Sequence, residues 1–252
     1  ISQPYGMLLV TGPTGSGKTT TLYAILQDLN RKEKNIITVE DPVEYKLKGI
    51  NQVQVNAKAG LTFASGLRSI LRQDPDIIMV GEIRDNETAE IAVRAAITGH
   101  LVLSTLHTND SPSTVARLVD MGIESYLVSS AIIGVISQRL VKLLCPRCKK
   151  EYEAGYLEKK LLGIDESDEL ILYKPVGCSN CNGGYKGRTA VHELMPVSEE
   201  IRKLIDNHAS IDELRKKAIE EGMSTLLQSV SRLALEGKTS YEEVLRVGYT
   251  LG

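Results

Sequence analysis

Four short apolar runs, Met7–Val10, Ile36–Val39, Ile77–Val80 and Leu101–Ser104, punctuate the first part of the chain, and each gives way to a polar stretch. Runs of this length and composition read as strands. Between them the period changes. Leu22, Ile25, Leu26 and Leu29 recur at helical spacing after the first run, and a second helical pattern separates the last two. Alternating β and α segments predict an α/β fold built on a parallel sheet with helices on both faces. In such sheets ligands bind beyond the carboxyl ends of the strands. At those ends stand Gly12–Thr19, Glu40-Asp41-Pro42-Val43-Glu44, Gly81-Glu82-Ile83-Arg84-Asp85 and Thr105-Leu106-His107-Thr108-Asn109-Asp110, so four polar loops are expected to meet at one site. From about Val141 the alternation lapses into a cysteine-bearing segment, and from about Ser198 the pattern is helical. Ser210 with Glu213 and Ser240 with Glu243 match capping boxes, Gly222 and Gly237 read as helix stops, and Leu226, Val230 and Leu233 form an apolar stripe. The expected division is a core over 1–140, a tetracysteine subdomain over 141–190 and a carboxy-terminal helical subdomain over 191–252.

The loop after the first run carries the most specific chemistry. Gly12-Pro13-Thr14-Gly15-Ser16-Gly17-Lys18-Thr19 fits Gly, four residues, Gly-Lys-Thr, between a predicted strand and a predicted helix. In a loop of this kind, glycine lets successive backbone N–H groups turn inward around phosphate oxygens. Lys18 then reaches the β/γ-phosphates and the Thr19 hydroxyl coordinates Mg²⁺. Gly12, Thr14, Gly15, Ser16, Gly17, Lys18, Thr19 and Thr20 are the expected nucleotide contacts, placed at a helix N-terminus whose dipole favours negative charge.

Phosphoryl transfer to water needs a metal-bound triphosphate, an oriented water and positive charge near the γ-phosphate. Glu82 follows the run Ile77–Val80 closely and is the candidate for holding Mg²⁺, whereas Asp76 precedes that run and is expected at the opposite edge of the sheet. Pro42 bars a continuing helix and sets a turn bearing Glu40, Asp41 and Glu44. Glu44 is the candidate for orienting and deprotonating the water, with Glu40 nearer the metal; the alternative is a solvated acidic turn. His107 is expected at the ligand end of its strand, within hydrogen-bonding reach of the terminal phosphate, and His100 at the other edge. Arg68, Arg72, Arg84 and Arg94 are candidates for charge stabilisation or for salt bridges, and spacing does not choose between these roles.

Cys145-Pro146-Arg147-Cys148 and Cys178-Ser179-Asn180-Cys181 hold all four cysteines of the chain. Two such pairs across a long spacer fit one tetrahedral Zn²⁺ in a closed structural site that cross-links a small insert. The other features narrow the class. The 252 residues are 42% hydrophobic and carry a net charge of −2, which gives no global field for recruiting nucleic acid or an anionic membrane. Tyr126–Ile136, the least polar long stretch, is too short and too interrupted to span a bilayer. Ile1-Ser2-Gln3-Pro4-Tyr5-Gly6 lacks an initiator Met and runs straight into the first strand, so further sequence is expected upstream.

Gly12–Thr19, Ile37-Thr38-Val39-Glu40-Asp41-Pro42-Val43-Glu44-Tyr45, Val80-Gly81-Glu82-Ile83-Arg84-Asp85 and Thr98-Gly99-His100 through Asp110 resemble, in order and spacing, the Walker A, Asp box, Walker B and His box of the GspE/PilB secretion ATPases. The resemblance covers essentially the whole chain. It implies a RecA-like ATPase core that uses ATP and Mg²⁺, with Glu44 as catalytic glutamate, Glu82 supporting the metal, and His100 and His107 in the His box. It also implies a homo-hexameric cytoplasmic motor at the inner face of the bacterial inner membrane, working on a membrane platform protein and associating with the membrane through partners. Members of this family carry a further amino-terminal domain that closes over the nucleotide across subunits and supplies arginines. Tetracysteine inserts occur in its secretion and pilus-assembly members and not in the related retraction ATPases, so by resemblance the cysteines favour an extension motor. Two other functions share these motifs: a RecA-like translocase on nucleic acid, which 4% aromatic content and neutral charge disfavour, and a non-catalytic scaffold gated by nucleotide.

Overall fold

A computed structural model describes residues 4–249. They divide into two compact units, one running up to Ser137 and including Leu194–Met223, the other formed by Gln138–Glu193 and the residues from Ser224 onward.

The first unit holds strands β1 Gly6–Thr11, β2 Ile36–Glu40, β3 Asn51–Gln54, β4 Ile77–Val80, β5 Leu101–Leu106 and the start of β6 Ile132–Leu144. Its helices along this stretch are α1 Lys18–Leu29, α2 Phe63–Ile70, α3 Asn86–Ile97, α4 Ser111–Asp120 and α5 Ser125–Ala131. The strands lie in the order β3-β2-β4-β5-β1-β6 and pair in parallel throughout. Strand side chains point alternately to opposite faces, so each apolar run supplies two cores. Met7 and Leu9 of β1, and Ile78 and Val80 of β4, join one cluster with α2, α3, α4 and α5. Leu8 and Val10, with Ile77 and Met79, join the other, where Leu22, Tyr23 and Leu26 of α1 cover the sheet. Because the strands are parallel, their carboxyl ends share one rim.

The second unit contains the rest of β6, the antiparallel pair β7 Lys150–Glu153 and β8 Ile171–Lys174, helix α6 Tyr156–Leu162, and most of β9 Tyr185–Pro196. The carboxy-terminal helices expected as one subdomain are shared out. Helices α7 Glu199–Asp206 and α8 Ile211–Glu220 put Ile201, Ile205, Leu214 and Ala218 into the first unit's core. By contrast, α9 Leu226–Leu235 and α10 Tyr241–Tyr249 pack Leu226, Val230, Val244 and Val247 with Val141 and Val191 in the second. The Ser210–Glu213 capping box forms at α8. Ser240 and Glu243 are engaged elsewhere: the Ser240 hydroxyl lies 2.7 Å from that of Tyr185, and Glu243 accepts from Lys142 N–H and the Arg246 guanidinium. No helix of the described residues is long and apolar enough to cross a membrane.

Candidate active site and metal centre

The loop between β1 and α1 turns because Gly15 and Gly17 adopt φ of 78° and 87°, a region costly for residues with a Cβ. Gly17 is also the N-cap of α1, and no side chain caps that helix. Lys18 folds back over the loop and donates to the carbonyls of Gly12 at 2.9 Å and Pro13 at 3.1 Å. Thr14, Gly15, Ser16, Gly17, Lys18, Thr19 and Thr20 line one side of a cavity of about 610 Å³. Gly12 lies just beneath, holding the lysine.

The other three loops complete the same cavity with Glu40, Asp41, Glu44, Glu82, Arg84 and His107, among others. They are braced to one another. Gly81 N–H donates to Val39 O at 2.8 Å, Ile83 N–H to Thr105 O at 3.0 Å, and the Thr105 hydroxyl to Gly81 O at 2.8 Å. Glu82 sits between Arg84 and His107: Arg84 closes an ion pair on one carboxylate oxygen, and His107 Nε2 stands 3.5 Å from the other. The bond to Glu82 raises the Arg84 pKa further above its already high value. The His107 loop is anchored below by Asp110, which caps α4 through Ser113 N–H at 2.8 Å and pairs with Arg215 at 2.7 Å.

Glu40 behaves differently from its neighbours. It is 2% exposed and both oxygens already accept hydrogen bonds. The Tyr23 hydroxyl donates to one; Thr38 Oγ1 at 2.6 Å and Gln52 Nε2 at 3.1 Å donate to the other. Its sequence position suggested a place near the metal, but its geometry is that of a brace for the turn after β2. Glu44, on that turn, is exposed to the cavity. Asp76 is indeed at the opposite edge, bound to Lys34 and to Asn35 N–H, and His100 is there too, its Nδ1 3.0 Å from Ala95 O. Arg68 and Arg94 form surface ion pairs with Glu87 and Glu90, Arg72 is exposed, and none of the three lines the cavity.

In the second unit the four cysteine sulfurs lie within 4.8 Å of one another. A tetrahedral ion with Zn–S bonds of about 2.3 Å sets its sulfurs about 3.8 Å apart. The pairs Cys145–Cys178, Cys148–Cys181 and Cys178–Cys181 measure 3.9, 3.7 and 3.7 Å, so the set fits that ion closely. Cys178 N–H donates to Cys181 Sγ at 3.2 Å, a bond that favours thiolate. Partial burial pushes the Cys148 thiol up to about 11. The same effect acts on Cys181, but the N–H groups of Cys178 and Gly184 outweigh it and bring that thiol down to about 7. Gly184, at φ 87°, closes the loop: an added Cβ would lie 2.4 Å from Pro175 Cβ and 2.7 Å from Val176 N. Gly184→Ala is therefore expected to destabilise this unit by about 2–5 kcal/mol, combining backbone strain with overpacking. Urea unfolding of the variant beside the parent measures it.

A family model described as type II/IV secretion system protein matches residues 1–246. The chain belongs to this family. It is 56% identical, over 98% of its length, to type II secretion system protein E of Pseudomonas aeruginosa, and 55% identical, over 97%, to the type IV pilus assembly ATPase PilB of Myxococcus xanthus. It spans 49% of the first relative and 44% of the second. Among solved structures, the pilus retraction motor PilT with bound ADP superposes with a TM-score of 0.73 at 33% identity, covering 97% of this chain and 62% of that one. The likeness places the secretion-family chain in the same mixed α/β fold.

Several cavity residues of this family member escaped sequence reasoning. Phe63 and Met79 form an apolar wall, and Tyr45 closes one edge. Phe63 opens α2, an eight-residue helix capped by Thr62 and Ser65, too short for periodicity to reveal. The Thr62-x-x-Ser65 pairing was the only signal available. Tyr23 and Gln52 hold Glu40 from places 17 and 12 residues away, and no local motif links them.

Proposed function

We propose that the chain is the ATP-hydrolysing motor domain of a cytoplasmic hexameric traffic ATPase that powers type II protein secretion or type IV pilus assembly. The observation that carries this reading is the single cavity on which the phosphate loop, Glu44, Glu82 and His107 converge. The backbone N–H groups of residues 14–19 receive the β- and γ-phosphates, and Lys18 exchanges the Gly12 and Pro13 carbonyls for phosphate oxygens. Thr19 and Glu82 supply the oxygen ligands that suit Mg²⁺, which when bound neutralises charge on the triphosphate. Glu44 orients a water and takes its proton as the water oxygen bonds to the γ-phosphorus. The bond to the bridging oxygen breaks, and ADP and phosphate result. His107 donates to the terminal phosphate. Glu40 contributes by holding the turn that presents Glu44.

Cys145, Cys148, Cys178 and Cys181 hold Zn²⁺ as a structural cross-link. The partners in this reading are further copies of the chain and an inner-membrane platform protein, with the motor at the cytoplasmic face of that membrane. Both named relatives, a secretion protein E and a pilus assembly ATPase, support this class of machine. Lys18→Ala tests the phosphate site. Losing a charge-assisted contact of about 1.5–3 kcal/mol should weaken ATP binding by about tenfold to a hundredfold and bring turnover to background. Titration with a fluorescent nucleotide and a phosphate-release assay read both quantities. Unchanged affinity overturns the assignment, and turnover that rises on adding DNA or RNA points to a translocase instead.

A further inference from the structure

Tyr23 lies on α1, four residues beyond Thr19, and is fully buried. A tyrosine with no exposed surface must place its hydroxyl among partners or lose the hydrogen bonds water would give it. Here the hydroxyl is the hub of a polar network between the phosphate-loop helix and the turn that carries Glu44. It donates to Glu40, and it accepts from Glu44 N–H and from Gln52 Nε2, each at 3.3 Å. Gln52 carries the network onward, donating to Tyr45 O at 3.1 Å and accepting Leu47 N–H at 2.7 Å. The Tyr45 ring meets the Tyr23 ring edge-on, with centroids 4.7 Å apart. Burial, and then the neighbouring Glu40 carboxylate, hold the Tyr23 hydroxyl in its protonated, donating form.

We infer that Tyr23 is a positioning residue for hydrolysis, tying the backbone of Glu44 to the helix that begins at Lys18 and Thr19. The inference rests on the proposed hydrolytic role of Glu44. Its physical content is geometric. Glu44 is exposed on a turn with no secondary structure of its own, so its carboxylate can address a water only as well as its backbone is held. The Tyr23 hydroxyl holds that backbone from the element that grips the phosphates. Tyr23 is buried behind the cavity and does not line it, whereas Glu44 does, which separates the two roles.

Tyr23→Phe removes the hydroxyl and keeps the ring. The expected result is a fall in kcat of roughly tenfold to a hundredfold, the scale at which small misplacement of a reacting group acts. ATP affinity should stay within about twofold, since no phosphate contact is lost. Hydrogen–deuterium exchange read by mass spectrometry gives a second measure that does not depend on turnover: the peptide covering residues 41–47 should exchange faster by about tenfold, while peptides from β1 and β5 stay unchanged. Gln52→Leu, which acts on the same network from β3, should shift both measures in the same direction and serves as the readout where Tyr23→Phe does not fold. An unchanged kcat and unchanged exchange in residues 41–47 overturn the inference. So does a parallel loss of kcat, affinity and protection throughout the first unit, which marks a merely structural tyrosine. Glu44→Gln distinguishes the two levels. If it abolishes turnover while Tyr23→Phe has no effect, only the positioning role fails. If it leaves turnover intact, the proposed function fails.

Discussion

Glu44→Gln should cut ATP turnover by about two to four orders of magnitude while ATP affinity remains within about threefold. Gln has the shape of Glu but cannot accept the proton that the attacking water must lose. Glu44 is exposed to the cavity and its backbone N–H donates to the Tyr23 hydroxyl, so exchange of the side chain leaves the turn in place. The residues proposed to contact phosphate are 14–20, elsewhere on the cavity lining. Binding and chemistry should therefore separate cleanly, and single-turnover phosphate release beside nucleotide titration reads them apart. A variant that hydrolyses ATP at the parent rate would remove Glu44 from the mechanism and revive the scaffold reading.

Each single Cys→Ser change at 145, 148, 178 or 181 should release zinc from the chain and loosen the insert around it. The sulfurs already stand at tetrahedral spacing, and four thiolates gathered without a cation would repel one another. A serine hydroxyl is neither soft nor ionised at neutral pH, so one substitution removes a quarter of the coordination. The structural need is visible in the burial pattern. Between residues 145 and 184, only Cys145, Ala154 and Leu172 are buried hydrophobic side chains. Apolar burial at about 25 cal/mol per Å² cannot hold so sparse a segment, whereas structural zinc in small domains contributes roughly 10–16 kcal/mol of apparent binding free energy. Elemental analysis should find one zinc per parent chain and a small fraction of that in every variant, and trypsin should cut first within residues 145–190. Retention of zinc by two of the four variants would split the cysteines into separate roles.

Local pattern carried much of this molecule. The four apolar runs became β1, β2, β4 and β5, with ends displaced by at most two residues, because strands buried on both faces read as continuous apolar sequence. Strand β3 did not stand out. Asn51–Gln54 is an edge strand whose side chains are polar except for Val53 and at least partly exposed, and its place depends on pairing with β2 rather than on its own composition. Helices α7 to α10 were legible as helices but not as members of two different units, since a helix's apolar stripe says that it packs and not against what. Glu243 had the spacing of a capping partner, yet the backbone N–H of Lys142, 101 residues away, takes its carboxylate.

The amino-acid order alone determined the glycine-rich loop after β1, the rim of the sheet on which the polar loops gather, and the two cysteine pairs, because in each case the feature lies within a few consecutive residues or follows from strand polarity. Tertiary structure decided the environments of the acids. Glu40 ends β2 and Glu44 lies on the turn that follows; both line the cavity, but Glu40 is buried with its two oxygens taken by Tyr23, Thr38 and Gln52, whereas Glu44 is exposed. His107 stands beside Glu82 only because β4 and β5 end side by side, whereas Arg84 lies two residues further along the same loop. Hydrogen bonding and burial are properties of the space around a carboxylate, and that space is assembled from residues far apart along the chain.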